Sequence, residues 1–174
     1  MAEKAKILLL DDDPAALRFL EYKLRRSIPE VDCEARLQPE VDGDFDIYFI
    51  DNEFEGQRIA AQLADRIRTL KPSALIIAYS ATLDRDTLKR LMQAGCTKAC
   101  DKSAPSELDA ALDVLREHVQ RIRMARKEAP RGPLGSLIQG LRTVTGLIEA
   151  WNTRLRQNNR QLTEEPKHEN DAAA

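Results

Sequence analysis

Asp11, Asp12 and Asp13 follow directly on the apolar run Ile7–Leu10, Asp51 follows Ile47–Ile50, Ser80 closes Leu75–Tyr79, and Lys102 comes just after Thr97–Cys100. Carboxylates brought within a few ångströms of one another repel unless a cation neutralises them. An all-oxygen set suits a hard ion such as Mg²⁺, which keeps part of its water shell. Mg²⁺ is therefore the expected cofactor. Asp13 stands apart, because a carboxylate before Pro14 is more simply an N-cap with proline at the first helical position. A lone Ser80 or Lys102 would be a solvated side chain or a cap; their shared place at run ends, with the acids, is what gives them a functional reading.

The elements that must position these residues are legible as short apolar runs alternating with helical periodicity. Ile7–Leu10, Val31–Arg36, Ile47–Ile50, Leu75–Tyr79 and Thr97–Cys100 have strand character, and several are apolar throughout, as strands buried on both faces are. Between them, Leu17, Leu20, Leu24 and Ile28 share a helix face, as do Ile59, Leu63, Ile67 and Leu70, and Leu83, Leu88 and Leu91. The pattern predicts an α/β fold: a five-stranded parallel sheet with right-handed crossovers, helices on both faces, and a site at the carboxyl ends of the strands. Leu37–Asp46, with Pro39 and Gly43, leaves room for barely two helical turns, so the second helix should be short or missing. The last helix of the repeat should begin near Pro105 and bury Leu108, Leu112, Leu115, Val119 and Ile122.

A chain of 174 residues accommodates one domain of roughly 100–150 residues and an appendage. No apolar run approaches the ~20 residues of a membrane span, and Met1–Lys6 lacks the pattern of a secretory signal, so a cytoplasmic protein is expected. Cys33, Cys96 and Cys100 have neither disulfide arithmetic nor metal-ligand spacing and should be reduced core thiols. His118 and His168 are expected to be solvent-exposed. Residues 1–115 carry 16 basic and 22 acidic side chains, whereas 116–162 carry 10 and 3. That asymmetry sets the C-terminal part off from the rest.

Four ordered segments, Lys6-Ile-Leu-Leu-Leu-Asp-Asp-Asp-Pro14, Asp46-Ile-Tyr-Phe-Ile-Asp51, Ile76-Ile-Ala-Tyr-Ser-Ala81 and Cys100-Asp-Lys-Ser103, resemble the signatures of response-regulator receiver domains, over about residues 6–120. The resemblance implies a flavodoxin-like sheet of order 2-1-3-4-5. It also implies that Asp51 accepts a phosphoryl group from a histidine kinase or phosphotransfer protein. Asp12 would then ligate Mg²⁺ directly, Asp11 through water, with Asp51 and the Glu53 main-chain carbonyl completing the protein ligands. Lys102 would pair with the phosphoryl oxygens and Ser80 would move to hydrogen-bond them. No separate catalytic activity is implied beyond phosphotransfer to the protein itself and autodephosphorylation.

Three positions depart from the family pattern. The loop after Asp51 is shortened to Asn-Glu-Phe-Glu before Gly56, Ser103 stands where proline usually follows the lysine, and Ala99 replaces the usual aromatic switch residue. These departures keep open a degenerate receiver used only as an interaction module. Leu-Leu-Leu-Asp11-Asp12-Asp13 also resembles the first motif of haloacid dehalogenase-type phosphatases, with Asp11 as nucleophile, but that family's later acidic pair has no counterpart and Asp51 would be unexplained.

The expected organisation is a receiver domain over 1–128, a linker at 129–133 around Pro130 and Pro133, an amphipathic helical extension at 134–162 and a disordered tail at 163–174. Leu137, Leu141, Val144, Ile148, Trp151 and Leu155 follow heptad spacing, which suits a coiled-coil homodimer, a docked partner or folding back on the domain. Thirty helical residues are too few for a helix-turn-helix, and Trp151 offers no stacking platform, so nucleic acid is not an expected partner.

Overall fold

The computed structural model describes residues 4–128, and contacts divide the chain after Glu128. The linker, extension and tail expected at 129–133, 134–162 and 163–174 lie outside the described residues, as do Met1–Glu3 and His168.

The central apolar runs become strands buried on both faces, while Val31–Arg36 and Lys98–Asp101 at the sheet edges stay partly exposed. The chain runs β1 (Ala5–Leu10), α1 (Pro14–Ser27), β2 (Val31–Arg36), β3 (Ile47–Ile50), then a small hairpin of β4 (Glu53–Phe54) and β5 (Gln57–Arg58). It continues through α2 (Ala60–Leu70), β6 (Leu75–Ser80), α3 (Arg85–Gln93), β7 (Lys98–Asp101) and α4 (Pro105–Glu128). The main sheet has the order β2-β1-β3-β6-β7 and is parallel throughout. Counting its own strands in chain order, this is 2-1-3-4-5, the flavodoxin-like arrangement expected. β4 and β5 form a separate antiparallel pair.

Two apolar layers flank the sheet. On one side Leu17, Leu20 and Leu24 of α1 and Leu108, Leu112, Leu115 and Val119 of α4 pack against Ile7, Leu9, Phe49 and Ile77. On the other, Leu63 and Ile67 of α2 and Leu91 of α3 pack against Leu8, Tyr48, Ile50 and Ile76. Cys100 lies in the first layer and Cys96 in the second; all cysteines are free, with Cys33 half-buried. Burial pushes the Cys96 thiol up to about 12 and that of Cys100 up to about 11.

Several details differ from the sequence reading. Of the two outcomes expected for the second helix, short or missing, the structure has the latter: Leu37–Asp46 crosses from β2 to β3 with no helical turn. Its place is taken by loop contacts such as the Tyr48 hydroxyl donating to the Asp42 carbonyl, with Arg36 bridging Glu34 and Asp42. Leu70 and Leu88 are exposed, because α2 buries Ala60, Leu63, Ala64 and Ile67 and α3 buries Thr87 and Leu91. His118 is half-buried rather than exposed, and burial pulls its imidazole below the ordinary range, with Arg121 adding to the effect. Asp13 caps α1 as expected, accepting from the Ala15 amide at 2.8 Å with Pro14 opening the helix.

At the amino edge of the sheet a single carboxylate, Asp46, fastens three separate segments. It accepts from the Lys6 amide at 3.0 Å, from Lys71 Nζ at 2.9 Å and from Arg126 Nη2 at 2.9 Å. Burial opposes its ionisation, but the Lys6 amide, Lys71 and Arg126 together hold the carboxyl below its ordinary value of 3.8. A carboxyl depressed in the folded state contributes stability that is present above the unfolded value and lost as pH falls through the folded one. Asp46→Asn should therefore cost about 2 kcal/mol at neutral pH, a charge-assisted set discounted for the partly exposed Lys71 and Arg126. In urea titrations the deficit against wild type should shrink below about pH 4; a deficit unchanged with pH would show that Asp46 acts through shape and not charge.

Candidate functional site

The last rungs of the ladder set the site. Asp11 N donates to Arg36 O at the end of β2, Asp51 N donates to Leu10 O at 2.8 Å, and Lys102 N donates to Ser80 O at 2.9 Å. Each bond fastens a strand-end residue to the neighbouring strand, so Asp11, Asp51, Ser80 and Lys102 meet at the carboxyl edge, where parallel sheets bind ligands.

Asp11, Asp12 and Asp51 each bring a carboxylate oxygen to within 4.8 Å of the others. Asp11 and Asp51 are buried and Asp12 is exposed. Lys102 Nζ lies 2.6 Å from Asp11 and 3.3 Å from Asp51, and stands 5.9 Å from the centre of the Tyr79 ring. Asp11 also accepts the Asp13 backbone N–H at 3.0 Å, and Asp51 accepts the Asn52 backbone N–H at 2.8 Å. Burial raises the Asp51 carboxyl above its usual range and the Asp11 charge adds to this, while Lys102 and the Ser80 hydroxyl favour its ionised form. Burial also weakens the Lys102 ammonium, but Asp11 and Asp51 outweigh that and hold it above its usual value. One ammonium is thus shared by two buried carboxylates with a third beside them, an excess of negative charge that a hard divalent cation would balance. The oxygen donors present fit Mg²⁺.

The loop carrying Lys102 is held without proline. Asp101 Oδ1 accepts from the Ser103 amide at 2.7 Å and from its hydroxyl at 2.6 Å, the Asp101 amide donates to Glu107 at 2.7 Å, and the backbone has no cis peptide among the described residues. Ser103 therefore closes this turn by bonding to the Asp101 side chain, with no proline in it.

Asp11, Asp12, Asp51, Ser80 and Lys102 lie at this edge, while Glu53 lies half-buried in β4 opposite Arg58. Sequence reasoning missed three features. Glu53–Arg58 is a hairpin with left-handed residues at Glu55 and Gly56, whose Glu-Gly pair is its only local signal. Asp12 accepts the Glu55 amide at 2.8 Å. Asn52 is wholly buried with neither end of its amide partnered by the described residues.

No protein-family model and no curated protein matches the sequence. The described structure is nevertheless similar to solved receivers. The BeF3-activated receiver domain of DrrB, from a Thermotoga maritima OmpR/PhoB homologue, is 16% identical with a TM-score of 0.57 over 67% of this chain and 98% of its own. The signal receiver domain of the DNA-binding response regulator merR from Colwellia psychrerythraea is 21% identical, with a TM-score of 0.57 over 66% of this chain and 99% of its own. The domain has the receiver fold. A two-component response regulator from Clostridium difficile superposes similarly, at 14% identity and a TM-score of 0.58 over 68% of this chain and 98% of its own. With the receiver fold comes the strand-end location of Asp11, Asp51, Ser80 and Lys102. No helix among the described residues is long and apolar enough to cross a membrane.

Proposed function

We propose that this receiver is a Mg²⁺-dependent phosphoacceptor switch in which Asp51 takes a phosphoryl group from a histidine kinase or phosphotransfer protein. The observation that carries the reading is the single Lys102 ammonium reaching both Asp11 and Asp51 beside Asp12. An oxygen of Asp51 attacks phosphorus as the P–N bond to the donor imidazole breaks; the bonding pair stays with nitrogen, which takes a proton, and Asp51 becomes an acyl phosphate. Mg²⁺ held by Asp11, Asp12, Asp51 and the Glu53 main-chain carbonyl would offset the charge of the transferring group. Lys102 favours the ionised form of Asp51 against burial before transfer and would pair with the phosphoryl oxygens afterwards. Ser80, whose hydroxyl already accepts the Thr82 amide at 3.3 Å, would turn to those oxygens and draw the following loop after it. Output would run through protein contacts, with 134–162 as a dimerising or docking helix in a cytoplasmic protein.

A degenerate interaction module is the second reading, favoured by the Glu55 amide already occupying Asp12 and by Ala99 having no ring to move. The phosphatase reading is weakened by Asp13, whose carboxylate is turned to the Ala15 amide as a cap. Incubating the full chain with Mg²⁺ and acetyl phosphate and recording intact mass separates them. A phosphate adduct of about 80 Da, absent from Asp51→Asn, is expected of an acyl phosphate on Asp51. No adduct under any Mg²⁺ concentration leaves the interaction module, and steady phosphate release that needs Asp11 but not Asp51 points to the phosphatase.

A further inference from the structure

The hairpin Glu53–Arg58 is too short to stand alone, since an isolated two-stranded ribbon is marginal in water. Its turn holds Glu55 at φ 49° and Gly56 at φ 77°, and a left-handed residue other than glycine is a strained one. What fixes it is attachment at both ends. Towards the acid cluster, the strained Glu55 presents its amide to Asp12 Oδ2 at 2.8 Å. Away from the cluster, Arg58 Nη1 lies 3.4 Å from Asp84 Oδ2 and 3.3 Å from Thr87 Oγ1. Asp84 is the N-cap of α3 and accepts the Thr87 amide at 2.7 Å, so Arg58 grips the capping carboxylate and the hydroxyl of the same first turn. Phe54 of the same hairpin is buried in the apolar layer under α2, a third anchor for so short a ribbon.

We propose that Arg58 is a positioning residue for the acid cluster, tying the Asp12 carboxylate through the β4–β5 hairpin to the first turn of α3, so that a cation on the cluster is felt at that helix. The proposal rests on the reading of Asp11, Asp12 and Asp51 as a Mg²⁺ site. A carboxylate that turns to meet a cation either carries its amide partner with it or releases it, and both displace a hairpin whose far end is bonded to α3. Leu88 and Met92, exposed one turn apart on α3, move with that helix. Such a path needs no aromatic ring at Ala99.

The test compares wild type, Arg58→Ala and Arg58→Lys as full chains, with Mg²⁺ affinity from calorimetry and hydrogen exchange of peptides covering 81–93 with and without Mg²⁺. In wild type, Mg²⁺ is expected to alter exchange in the first turn of α3. In Arg58→Ala, Mg²⁺ should still bind, weakened by no more than about fivefold, the most an exposed pair of this kind contributes, while the α3 response disappears. Arg58→Lys should restore part of the response. Two results overturn the proposal while leaving the metal site standing: Mg²⁺ binds wild type without changing exchange at α3, or Arg58→Ala keeps the full response. If Mg²⁺ does not bind wild type at all, the metal reading fails and this proposal with it.

Discussion

Lys102→Ala should lower the unfolding temperature in chelator by on the order of 10 °C, the shift that about 3 kcal/mol produces in a domain of this size. The reason is electrostatic. The side chains of Asp11 and Asp51 are 5% and 8% exposed, and Lys102 is the cation paired with both. Its removal leaves two desolvated carboxylates facing each other, the costly way to break a buried pair. Two further arms separate this cause from lost packing. Asp51→Asn in the Lys102→Ala background should recover much of the loss, since one member of the repelling pair becomes neutral, and the two changes should be strongly non-additive. Saturating Mg²⁺ should also restore stability to Lys102→Ala, because a cation at the cluster replaces the missing ammonium. A variant that melts within a degree or two of wild type in chelator would mean that Lys102 does not neutralise the cluster.

Arg68→Ala should be the other severe change, at about 3 kcal/mol in chemical denaturation, although it touches no part of the site. Among the described residues no carboxylate pairs with this half-buried guanidinium. Instead it donates to three backbone carbonyls: Gly95 O at 2.7 and 3.0 Å, Pro72 O at 2.9 Å and Ala74 O at 2.5 Å. Burial pulls its value down, yet the fork stays charged and ties the end of α2 to the turns that lead into β6 and β7. Lysine cannot span three carbonyls with one ammonium, so Arg68→Lys should recover only a minor share. Gly95 shares the requirement: its φ is 97°, and a Cβ there would lie 2.9 Å from Arg68 Cγ. Gly95→Ala should therefore fall on the same side. An Arg68→Ala domain as stable as wild type would show that water satisfies those carbonyls equally well.

The contrast between these two residues shows what a sequence can and cannot disclose about this fold. Lys102 was legible because its importance comes from register: a lysine one residue beyond a strand joins acids one residue beyond two other strands, and the sheet does the rest. The strands and the buried stripes of α1 and α4 were legible because apolar periodicity is a local property, whereas the sheet order came only with the resemblance to receivers. Arg68 and Asp46 were not legible, because their partners lie up to 29 and 80 residues away and are chiefly backbone groups, or cations on other elements. The β4–β5 hairpin escaped notice because Glu-Gly is a weak turn signal and strands of two residues have no period. Leu70 and Leu88 show the limit of periodicity itself: Leu88 stands one position off the stripe of Thr87 and Leu91, and Leu70 is the last residue of α2, so each satisfies the spacing and still faces water.

Cys96 and Cys100 sit on opposite sides of the sheet, each buried and held as a neutral thiol far into alkaline pH. Only the thiolate attacks an alkylating reagent, so neither reacts while its own layer is closed. The molecule therefore contains a separate silent clock for each face: the α1–α4 side is timed by Cys100 and the α2–α3 side by Cys96. The order in which the two acquire a label is the order in which the two halves of the sandwich come apart.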